Sequence, residues 1–513
     1  MRGDGWTRLI AALVALILAI LTIPGTDDFP LDDAWIHLSY AKSLRLGDGL
    51  SYNPGDWETG FSSPMWVALL AMWPTSGAPV LPVKLLGALL HAATAWLAAH
   101  IVLDLVRQRA STTAPLPAQS MALLGGVFAA SAPSLLQGST SGMEVPLTAA
   151  AILAVAAAMI AGAPLAAGLT GCLAVWCRPE ALGFVLTMGT VLAIARFRAG
   201  DTSSASLRAA VVAPLGALLG LGLWVMWCWS VSDYPWPNTQ YIKGTGGGLA
   251  GLSFIADDVL PWQPWVMSLT GVVLLALGLR RDVRHRHYEL LALLAAVLAT
   301  WLAIAVSRPL HPGVGFYEAR YFVPFGAPIA VVLPFGLLAC RRWLAWALLL
   351  PLALVTGRQI PQLRARLVEQ ASDTRTVHTA VARTIASQLP ADAIVAVEGA
   401  GATRYFTPRT MTIVDIVGLN DRVAAHLHFD RQAKMCHFVR QAPTHFAIPA
   451  DWLPQFLPVF AMHPVARFED PRYTQVQPPR PLTVVLAAVD AINPAWVQGC
   501  ASATGPGATA RPQ

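Results

Sequence analysis

The sequence has few charged residues. Asp, Glu, Lys and Arg make up 12% of its 513 residues, and hydrophobic residues make up 55%, whereas an average soluble domain is about 25% charged. This balance excludes an ordinary soluble enzyme. Lysine is scarcest, with four residues: Lys42, Lys84, Lys243 and Lys434. The remaining basic residues are scattered arginines, which do not form the basic stripe of a nucleic-acid-binding protein, so we expect no nucleic-acid partner.

Cysteine is also scarce. The six Cys residues show no CxxC or His/Cys ligand spacing, which excludes a disulfide scaffold and gives no zinc-site pattern. Four lie in or beside hydrophobic runs: Cys172, Cys177, Cys228 and Cys340. Cys436 and Cys500 are therefore the one pair in the more polar C-terminal part. We predict a disulfide between them if that part faces an oxidising compartment; two buried free thiols are the alternative.

Long hydrophobic runs dominate the sequence instead. A run of about 17–25 apolar residues is long enough to cross a bilayer as a helix. The first run has no small-residue cleavage site after it, so we interpret it as an uncleaved span and not as a signal peptide. The sequence predicts eleven spans, of which the fifth and sixth are short: 9–23, 80–106, 119–137, 143–162, 164–178, 180–195, 207–231, 264–280, 288–307, 321–339 and 342–357.

The positions of arginine give an orientation for these spans. Cytoplasmic loops of membrane proteins collect Arg and Lys. With the N-terminus in the cytoplasm, alternate loops carry arginines on one side: 107–109, 196–208, 280–286 and 341–342. The opposite loops hold most other polar motifs. An odd number of spans also places the C-terminal part on that outer face.

The C-terminal part differs in composition from the rest. Residues 358–513 contain 26 of the 64 charged residues, which indicates a soluble domain. Two apolar runs, 394–397 and 411–417, flank the glycine-containing stretch 399–402 and predict a strand, a turn with a helix, and a second strand. The glycines lack the complete G-x-G-x-x-G spacing of a dinucleotide site. We predict three regions: a membrane domain at 1–357 with a first external loop at 24–79, an α/β domain at 358–500, and a disordered tail at 501–513.

Two adjacent carboxylates, Asp32 and Asp33, lie shortly after the first span. Acidic residues beside a membrane are costly and are functional candidates by default. The alternative is that one of them caps an amphipathic helix predicted from Trp35 to Leu46. The residues alone leave these two interpretations open.

Several motifs on the predicted outer face resemble a known family. The first loop begins DDAWIHLSYAKSLRLGDGLSYNPGD and closes with GFSSPMW, and later segments read SGMEVP, RPE, PNTQYIK and VDIVGLND. Together they resemble bacterial GT-C glycosyltransferases, specifically the branch that includes the mycobacterial terminal β(1→2) arabinofuranosyltransferase. The first loop is the most specific part. Thr59 stands where relatives often carry an acid before the Gly-aromatic pair, which weakens the transfer of a role to the preceding Glu58.

The resemblance implies a polytopic α-helical membrane protein of the GT-C type with a small C-terminal extracytoplasmic α/β domain, in a bacterial inner membrane. It implies transfer of a sugar, arabinofuranose in that branch, from a polyprenyl-phosphate donor to an envelope glycan, lipid or protein on the outer face. No cofactor is predicted, but some GT-C enzymes hold a divalent metal at an acidic first-loop motif, which the Asp32-Asp33 pair leaves open. A transporter or flippase of lipid-linked sugars is the rival; it should show inverted repeats and midplane charges, and the sequence shows neither.

This chemistry needs a carboxylate for the acceptor hydroxyl and cations for the departing phosphate. We assign the first role to Asp32 with Asp33 beside it, as base or as nucleophile. The main outer cations of the membrane domain are Arg178, Lys243, Arg308, His311 and Arg320. Of these, Lys243, Arg320 and His311 are our candidates for the donor phosphate. An interfacial anchor is the alternative for Lys243, and a pair with Glu318 is the alternative for Arg320.

A further set of polar residues on the same face could position the substrates: Glu58, Glu144, Arg178, Glu180, Asn238 and Tyr321. For Arg178 and Glu180, which join two short spans, a buried structural ion pair is the favoured interpretation. Glu144 could instead cap the fourth span.

Overall fold

The structure is a computed structural model. It describes residues 2–23, 28–73, 79–109, 116–200, 204–243, 248, 250–263, 268–284, 287–308, 310, 316–338, 342–475 and 478–502.

Helices form the first two thirds of the chain. They are α1 (Arg2–Thr22), α2 (Asp33–Arg45), α3 (Pro64–Met72), α4 (Val80–Gln108), α5 (Ala118–Ser131), α6 (Pro133–Thr140), α7 (Val145–Ile160), α8 (Pro164–Cys177), α9 (Ala181–Arg198), α10 (Ala205–Ser232), α11 (Asn238–Lys243), α12 (Ala250–Phe254), α13 (Leu269–Arg284), α14 (Glu289–Ser307), α15 (Phe316–Ala319), α16 (Ala327–Leu337) and α17 (Arg342–Thr374). Each of the eleven predicted spans overlaps a helix. Among the described residues, five helices are long and apolar enough to cross a membrane, or six if the bent pair α5 and α6 is one span.

The third predicted span is broken, a feature that was not predicted from the sequence. Helices α5 and α6 meet at an angle of 56°. Pro133, the first residue of α6, has no backbone N–H to continue the α5 hydrogen-bond ladder. Every residue of α6 is buried, so protein encloses the break, as backbone irregularity at membrane depth requires. The break brings Ser134 and Gln137 into the protein interior.

Small residues let the helices pack closely. In α1, Ala11, Ala15 and Ala19 are fully buried, whereas Leu13 and Ile17 are exposed. A bundle in lipid gains most from close backbone contact and places its large apolar side chains outward. A methyl group added at Gly126 of α5 would lie 2.4 Å from Cβ of Ala11. Helices α1 and α5 are therefore held at short distance by small side chains.

Helix α17 extends beyond the span predicted at 342–357. It runs for 33 residues and is followed by a π-helical turn, Arg375–Thr379. The predicted domain boundary at 357 thus falls inside a continuous helix and not in a loop. A mean rise of 1.5 Å per residue makes such a helix about 50 Å long, enough to connect the membrane bundle with the C-terminal part.

The C-terminal part contains one five-stranded sheet. Its strands are β1 (Ile394–Val397), β2 (Thr412–Asp415), β3 (His445–Pro449), β4 (Phe460–Tyr473) and β5 (Arg480–Ile492), in the order β2-β1-β3-β5-β4. Strand β1 is parallel to β2 and β3, and β5 is antiparallel to β3 and β4. The surrounding helices are α18 (Ala380–Gln388), α19 (Ala400–Phe406), α20 (Arg422–His426), α21 (Arg431–Gln441), α22 (Leu453–Phe456) and α23 (Pro494–Ser502). The strand-helix-strand prediction coincides with β1, α19 and β2.

The first two residues of the predicted disordered tail, 501 and 502, belong to α23, so that part of the prediction is wrong. The rest of the tail, 503–513, lies outside the described residues.

The first external loop and the C-terminal part pack directly on each other. The hydroxyl of Tyr52 donates to the carbonyl of Ala400 at 2.6 Å. The side chain of Asn53 donates to the carbonyl of Ile413 and accepts from its N–H, both at 3.0 Å. The ring of Trp35 in α2 lies 4.8 Å from two aromatic rings of α19. These contacts place the loop against α19 and the edge strand β2.

Cys436 of α21 and Cys500 of α23 form a disulfide, with Cα atoms 5.2 Å apart. Closing a loop of 64 residues stabilises the folded state by about 4 kcal/mol on the chain-entropy estimate.

We expect four reactive thiols, not six, when the denatured and unreduced protein is titrated with a thiol reagent. The Cys436→Ser, Cys500→Ser double variant should give the same four and a lower melting temperature. Six reactive thiols in the wild type would contradict the disulfide and weaken the outer placement of this part.

Candidate functional site

Asp32 and Asp33 face different partners. Asp33 is the first residue of α2 and Asp32 precedes it, but the Asp32 carboxylate does not cap its own helix. It accepts hydrogen bonds from the backbone N–H groups of Gly401 and Ala402, each at 2.8 Å. The Asp33 carboxylate pairs with Arg320. Successive residues at a helix start point in different directions, so the two neighbouring carboxylates have separate environments.

Gly401 is needed where Asp32 approaches α19. A Cβ atom at this position would lie 2.2 Å from the carbonyl oxygen of Asp32, a distance that no side chain tolerates. The glycine-containing stretch therefore does more than form the predicted turn, since it receives a carboxylate from the first loop.

Four basic side chains converge around two tyrosine rings; we term them the cation cluster: Arg178, Lys243, Arg308 and Arg320. The guanidinium carbons of Arg178 and Arg308 lie 4.5 and 4.2 Å from the centre of the Tyr321 ring. Arg320 lies 4.8 Å from the centre of the Tyr317 ring, and the Lys243 ammonium donates to the Tyr317 hydroxyl at 2.9 Å. Such cation–π contacts are favourable where water is excluded.

Three carboxylates balance part of this charge. Asp33 pairs with Arg320 and lies 3.8 Å from Lys243. Glu144 pairs with Arg178, which is fully buried. Glu180 pairs with both Arg178 and Arg308. Glu144 and Glu180 occupy the N-cap positions of α7 and α9 but do not cap them, so the ion pairs have taken precedence over the capping role.

Arg320 has hydrogen-bonding capacity that its protein neighbours do not use. Arg320 is only 3% exposed to solvent, and its Nε and Nη1 atoms are buried without a hydrogen-bond partner. Buried polar atoms are normally paired, and a guanidinium is suited to phosphate oxygens. Burial would raise the pKa of the Asp33 carboxyl, but Arg320 and Lys243 outweigh burial and hold that pKa below its ordinary value. Asp33 is therefore ionised beside a guanidinium with two unused donors.

A largely apolar cavity of about 790 Å³ adjoins the cation cluster; we term it the apolar cavity. Its walls include Gly183 of α9 and Ile304 of α14, and it reaches Glu180 and Arg308. The C-terminal part contributes Phe429, whose side chain is 75% exposed. The cavity thus has apolar walls along two membrane helices and charged residues where it meets the cluster.

Glu58 and Asn238 lie apart from the cluster, at the opposite end of α11 from Lys243. The Asn238 side-chain amide donates to the Glu58 carboxyl at 2.9 Å, and Arg422 of α20 donates to it at 3.1 Å. Burial, followed by repulsion from Asp56, raises the pKa of Glu58 to about 8. Glu58 joins the first loop, α11 and the C-terminal part.

The structure therefore brings together Asp33, Lys243, Arg320, Tyr321, Glu144, Arg178 and Glu180 of the predicted site residues. Asp32, Glu58 and Asn238 lie at the contact with the C-terminal part. His311 lies outside the described residues. Among the residues that the structure describes, no group of three or more His, Cys, Asp or Glu could hold a metal ion.

Several residues of the site were not assigned from the sequence. Arg308 was recognised as an outer cation but given no role, and Tyr317 carried no signal, since tyrosines near membrane interfaces are common. In the C-terminal part, Nε2 of His378 lies 3.4 Å from the hydroxyl of Tyr473. Glu398, directly after β1, has its pKa raised by burial and by the nearby charges of Asp32 and Asp33, although His378 opposes the shift.

Glu58→Gln should stabilise the protein at alkaline pH but not at acidic pH. The Glu58 carboxyl, with its pKa raised by burial, stays protonated in the folded state up to about pH 8, whereas in the unfolded state it ionises near pH 4.5. Stability is therefore lost as pH rises through this window, and the amide avoids the loss. We expect the variant's melting temperature to match wild type at about pH 4.5 and to exceed it by about 2–4 °C at about pH 9. Glu469→Gln, at an exposed strand position, is the control; an equal gain at both pH values would contradict the interpretation.

Residues 363–484 match a family described as "Domain of unknown function (DUF8728)". Among curated proteins, none matches the chain in sequence.

Solved membrane-enzyme structures resemble nearly the whole chain. ArnT from Cupriavidus metallidurans bound to undecaprenyl phosphate has a TM-score of 0.57 and 14% identity, over 94% of this chain and 98% of that one. Its apo state has a TM-score of 0.54 and 15% identity, with the same coverage. The archaeal oligosaccharyltransferase AglB from Archaeoglobus fulgidus, in complex with an inhibitory peptide and a dolichol-phosphate, has a TM-score of 0.55 and 12% identity, over 88% of this chain and 70% of that one. At these identities the likeness establishes the fold alone: the chain has a multi-pass helical membrane fold of the GT-C type with a small C-terminal sheet domain, as predicted.

Proposed function

We propose that the chain is an integral-membrane glycosyltransferase that transfers one sugar from a polyprenyl-phosphate donor to an envelope glycan, lipid or protein. The observation that carries the proposal is Arg320, whose two buried, unused guanidinium nitrogens lie within a cluster of four cations. The branch resemblance suggests arabinofuranose as the sugar. It also suggests a bacterial inner membrane, with the site and the C-terminal domain on the outer face.

A lipid phosphate suits both parts of the site. The apolar cavity runs along α9 and α14 and meets the cation cluster at Arg308. The apolar chain of an amphiphile could occupy the apolar cavity while its anionic head contacts the cation cluster. The similar fold of ArnT, which was solved bound to undecaprenyl phosphate, supports this choice of donor.

The cation cluster stabilises the departing phosphate, so the protein needs no strong general acid. In the direct reaction, the acceptor hydroxyl gives its proton to a carboxylate while its oxygen bonds to the anomeric carbon. The bond from that carbon to the phosphate oxygen breaks, and its electron pair leaves with the lipid phosphate. We assign the carboxylate role to Asp33 and not to Asp32, because Asp33 lies in the cation cluster beside Arg320 and Lys243, whereas the Asp32 carboxylate faces the backbone N–H groups of Gly401 and Ala402. In a retaining enzyme Asp33 would instead be the nucleophile, and the anomeric configuration of the product distinguishes the two.

The decisive experiment incubates purified protein with a synthetic polyprenyl-phosphate sugar, polyprenyl-phosphate arabinofuranose first, and with a glycoside that supplies the acceptor hydroxyl. Release of free polyprenyl phosphate with formation of a glycoside supports the enzyme. Movement of the intact lipid between bilayer leaflets without phosphate release would favour the transporter instead.

Asp33→Asn should lower kcat by at least about 100-fold, the usual scale for loss of a positioned base. Asp32→Asn should have a smaller effect on kcat and a larger effect on melting temperature, since it weakens the contact with α19. Both variants are compared by turnover and by thermal unfolding. A greater loss of kcat in Asp32→Asn, with an unchanged melting temperature, would transfer the role to Asp32.

Lys243→Ala and Arg320→Lys should each reduce kcat/KM for the donor by at least about tenfold. They should change kcat/KM for the acceptor less. Arg320→Lys retains the charge but loses the planar set of donors, so it should not behave like wild type. Arg45→Ala, an exposed position in α2, is the matched control. An effect confined to kcat/KM for the acceptor would place these residues in the acceptor subsite and not in the donor subsite.

A further inference from the structure

A second cavity, of about 260 Å³, is lined by Ala319 and Val323 and shares no lining residue with the apolar cavity; we term it the polar cavity. Helix α6, the C-terminal part of α17 and the β4–β5 hairpin contribute to it. The wall residues that matter are Ser134, Gln137, Arg366, Gln370, Arg472 and Thr474.

The walls of the polar cavity carry hydroxyls, side-chain amides and charges of both signs. Ser134 and Thr474 supply hydroxyls, and Gln137 and Gln370 supply amides. Two arginines on the walls are matched by two carboxylates, those of Asp258 and Glu369. A balanced charge gives no preference for an anion, unlike the cation cluster. Amides and hydroxyls both donate and accept hydrogen bonds, which suits a compound with many hydroxyl groups.

Gln370 provides an independent sign of a ligand. Gln370 is only 8% exposed to solvent, and its side-chain Oε1 atom is buried without a hydrogen-bond partner. A buried amide oxygen is normally paired. A hydroxyl donor inside the cavity would satisfy it.

The polar cavity adjoins the proposed reaction centre. Ala319 and Val323 line it, and the residues between them in the chain include Arg320 and Tyr321 of the site. Thr474 follows Tyr473, whose pKa is raised by burial and then by the charges of Glu398, Asp373 and Asp32. The apolar cavity reaches the same cluster through Glu180 and Arg308. The polar cavity is therefore lined by an immediate chain neighbour of Arg320, the residue to which we assign the donor phosphate.

We propose, on the basis of the function proposed above, that the polar cavity binds the acceptor and that its lining selects a neutral carbohydrate. Gln370 is the residue that recognises an acceptor hydroxyl. It acts through binding and takes no part in bond breaking.

Saturation-transfer NMR with purified full-length protein tests this binding directly. The probes are the methyl glycosides of arabinofuranose, mannose and glucose, with methyl glucuronide as the charged comparison. We expect saturation of at least one neutral glycoside and at least about a fivefold weaker signal for it in Gln370→Leu. Gln359→Leu is the matched control, because Gln359 is on the same helix and also has an unpaired Oε1 but does not line the cavity. Equal signals in wild type and Gln370→Leu, no signal from any neutral glycoside, or a stronger signal from glucuronide would overturn the proposal.

A turnover assay tests the acceptor role of the polar cavity separately from the proposed glycosyltransferase activity. If wild type releases polyprenyl phosphate from the donor, Gln370→Leu should raise the acceptor KM at least about fivefold and leave the donor KM unchanged. Turnover with unchanged acceptor KM would overturn the polar-cavity assignment alone. Binding of glycosides that depends on Gln370, in a protein that turns over no donor, would overturn the glycosyltransferase and leave a carbohydrate-binding site.

Discussion

The ion pair between Asp33 and Arg320 is the interaction on which the rest of the site depends. Four basic groups lie within a region from which water is largely excluded, and such an arrangement is stable only if opposite charges are placed with it. Asp33 comes from the first external loop, Glu144 from the start of α7 and Glu180 from the start of α9. These separate polar motifs among apolar runs are therefore parts of one network. Truncating one member would leave a partner charged and buried, so the network holds the first loop and the starts of α7 and α9 together.

Much of the fold could be predicted from the sequence because apolar runs of bilayer length are typical of membrane-spanning helices. The eleven runs overlap helices, and the apolar runs of the C-terminal part mark β1 and β2. The bend at Pro133 could not be predicted, since a proline in a hydrophobic run does not reveal whether the helix continues, kinks or turns back. The continuation of α17 past residue 357 was missed for a related reason. A rise in charge shows where a helix leaves an apolar environment and not where the chain stops being helical.

The site was predicted less completely than the fold. The sequence indicates that carboxylates and cations share the outer face, but it does not indicate which of two adjacent carboxylates points at the cations. That choice depends on a backbone contact 369 residues away, between Asp32 and Gly401. Arg308 belongs to the cation cluster, and Tyr317 packs against it, because distant helices pack together. No local sequence pattern predicts such packing. The two cavities are also products of tertiary structure. One combines membrane helices with an exposed phenylalanine, and the other combines a broken helix with a hairpin of the C-terminal sheet.

The contact between Asp32 and Gly401 can form only late in biosynthesis, because the two residues are far apart in the chain. A chain made at about 5–20 residues per second presents Gly401 roughly 20–75 seconds after Asp32. Throughout this interval the Asp32 carboxylate has no amide partner, and the first loop has no surface against which to settle. Long-range closure of this kind comes late, since its entropic cost must be met before its contacts form. A nascent chain can therefore insert its early helices among membrane lipids well before the first loop meets α19, and a chain released before residue 401 never acquires this contact.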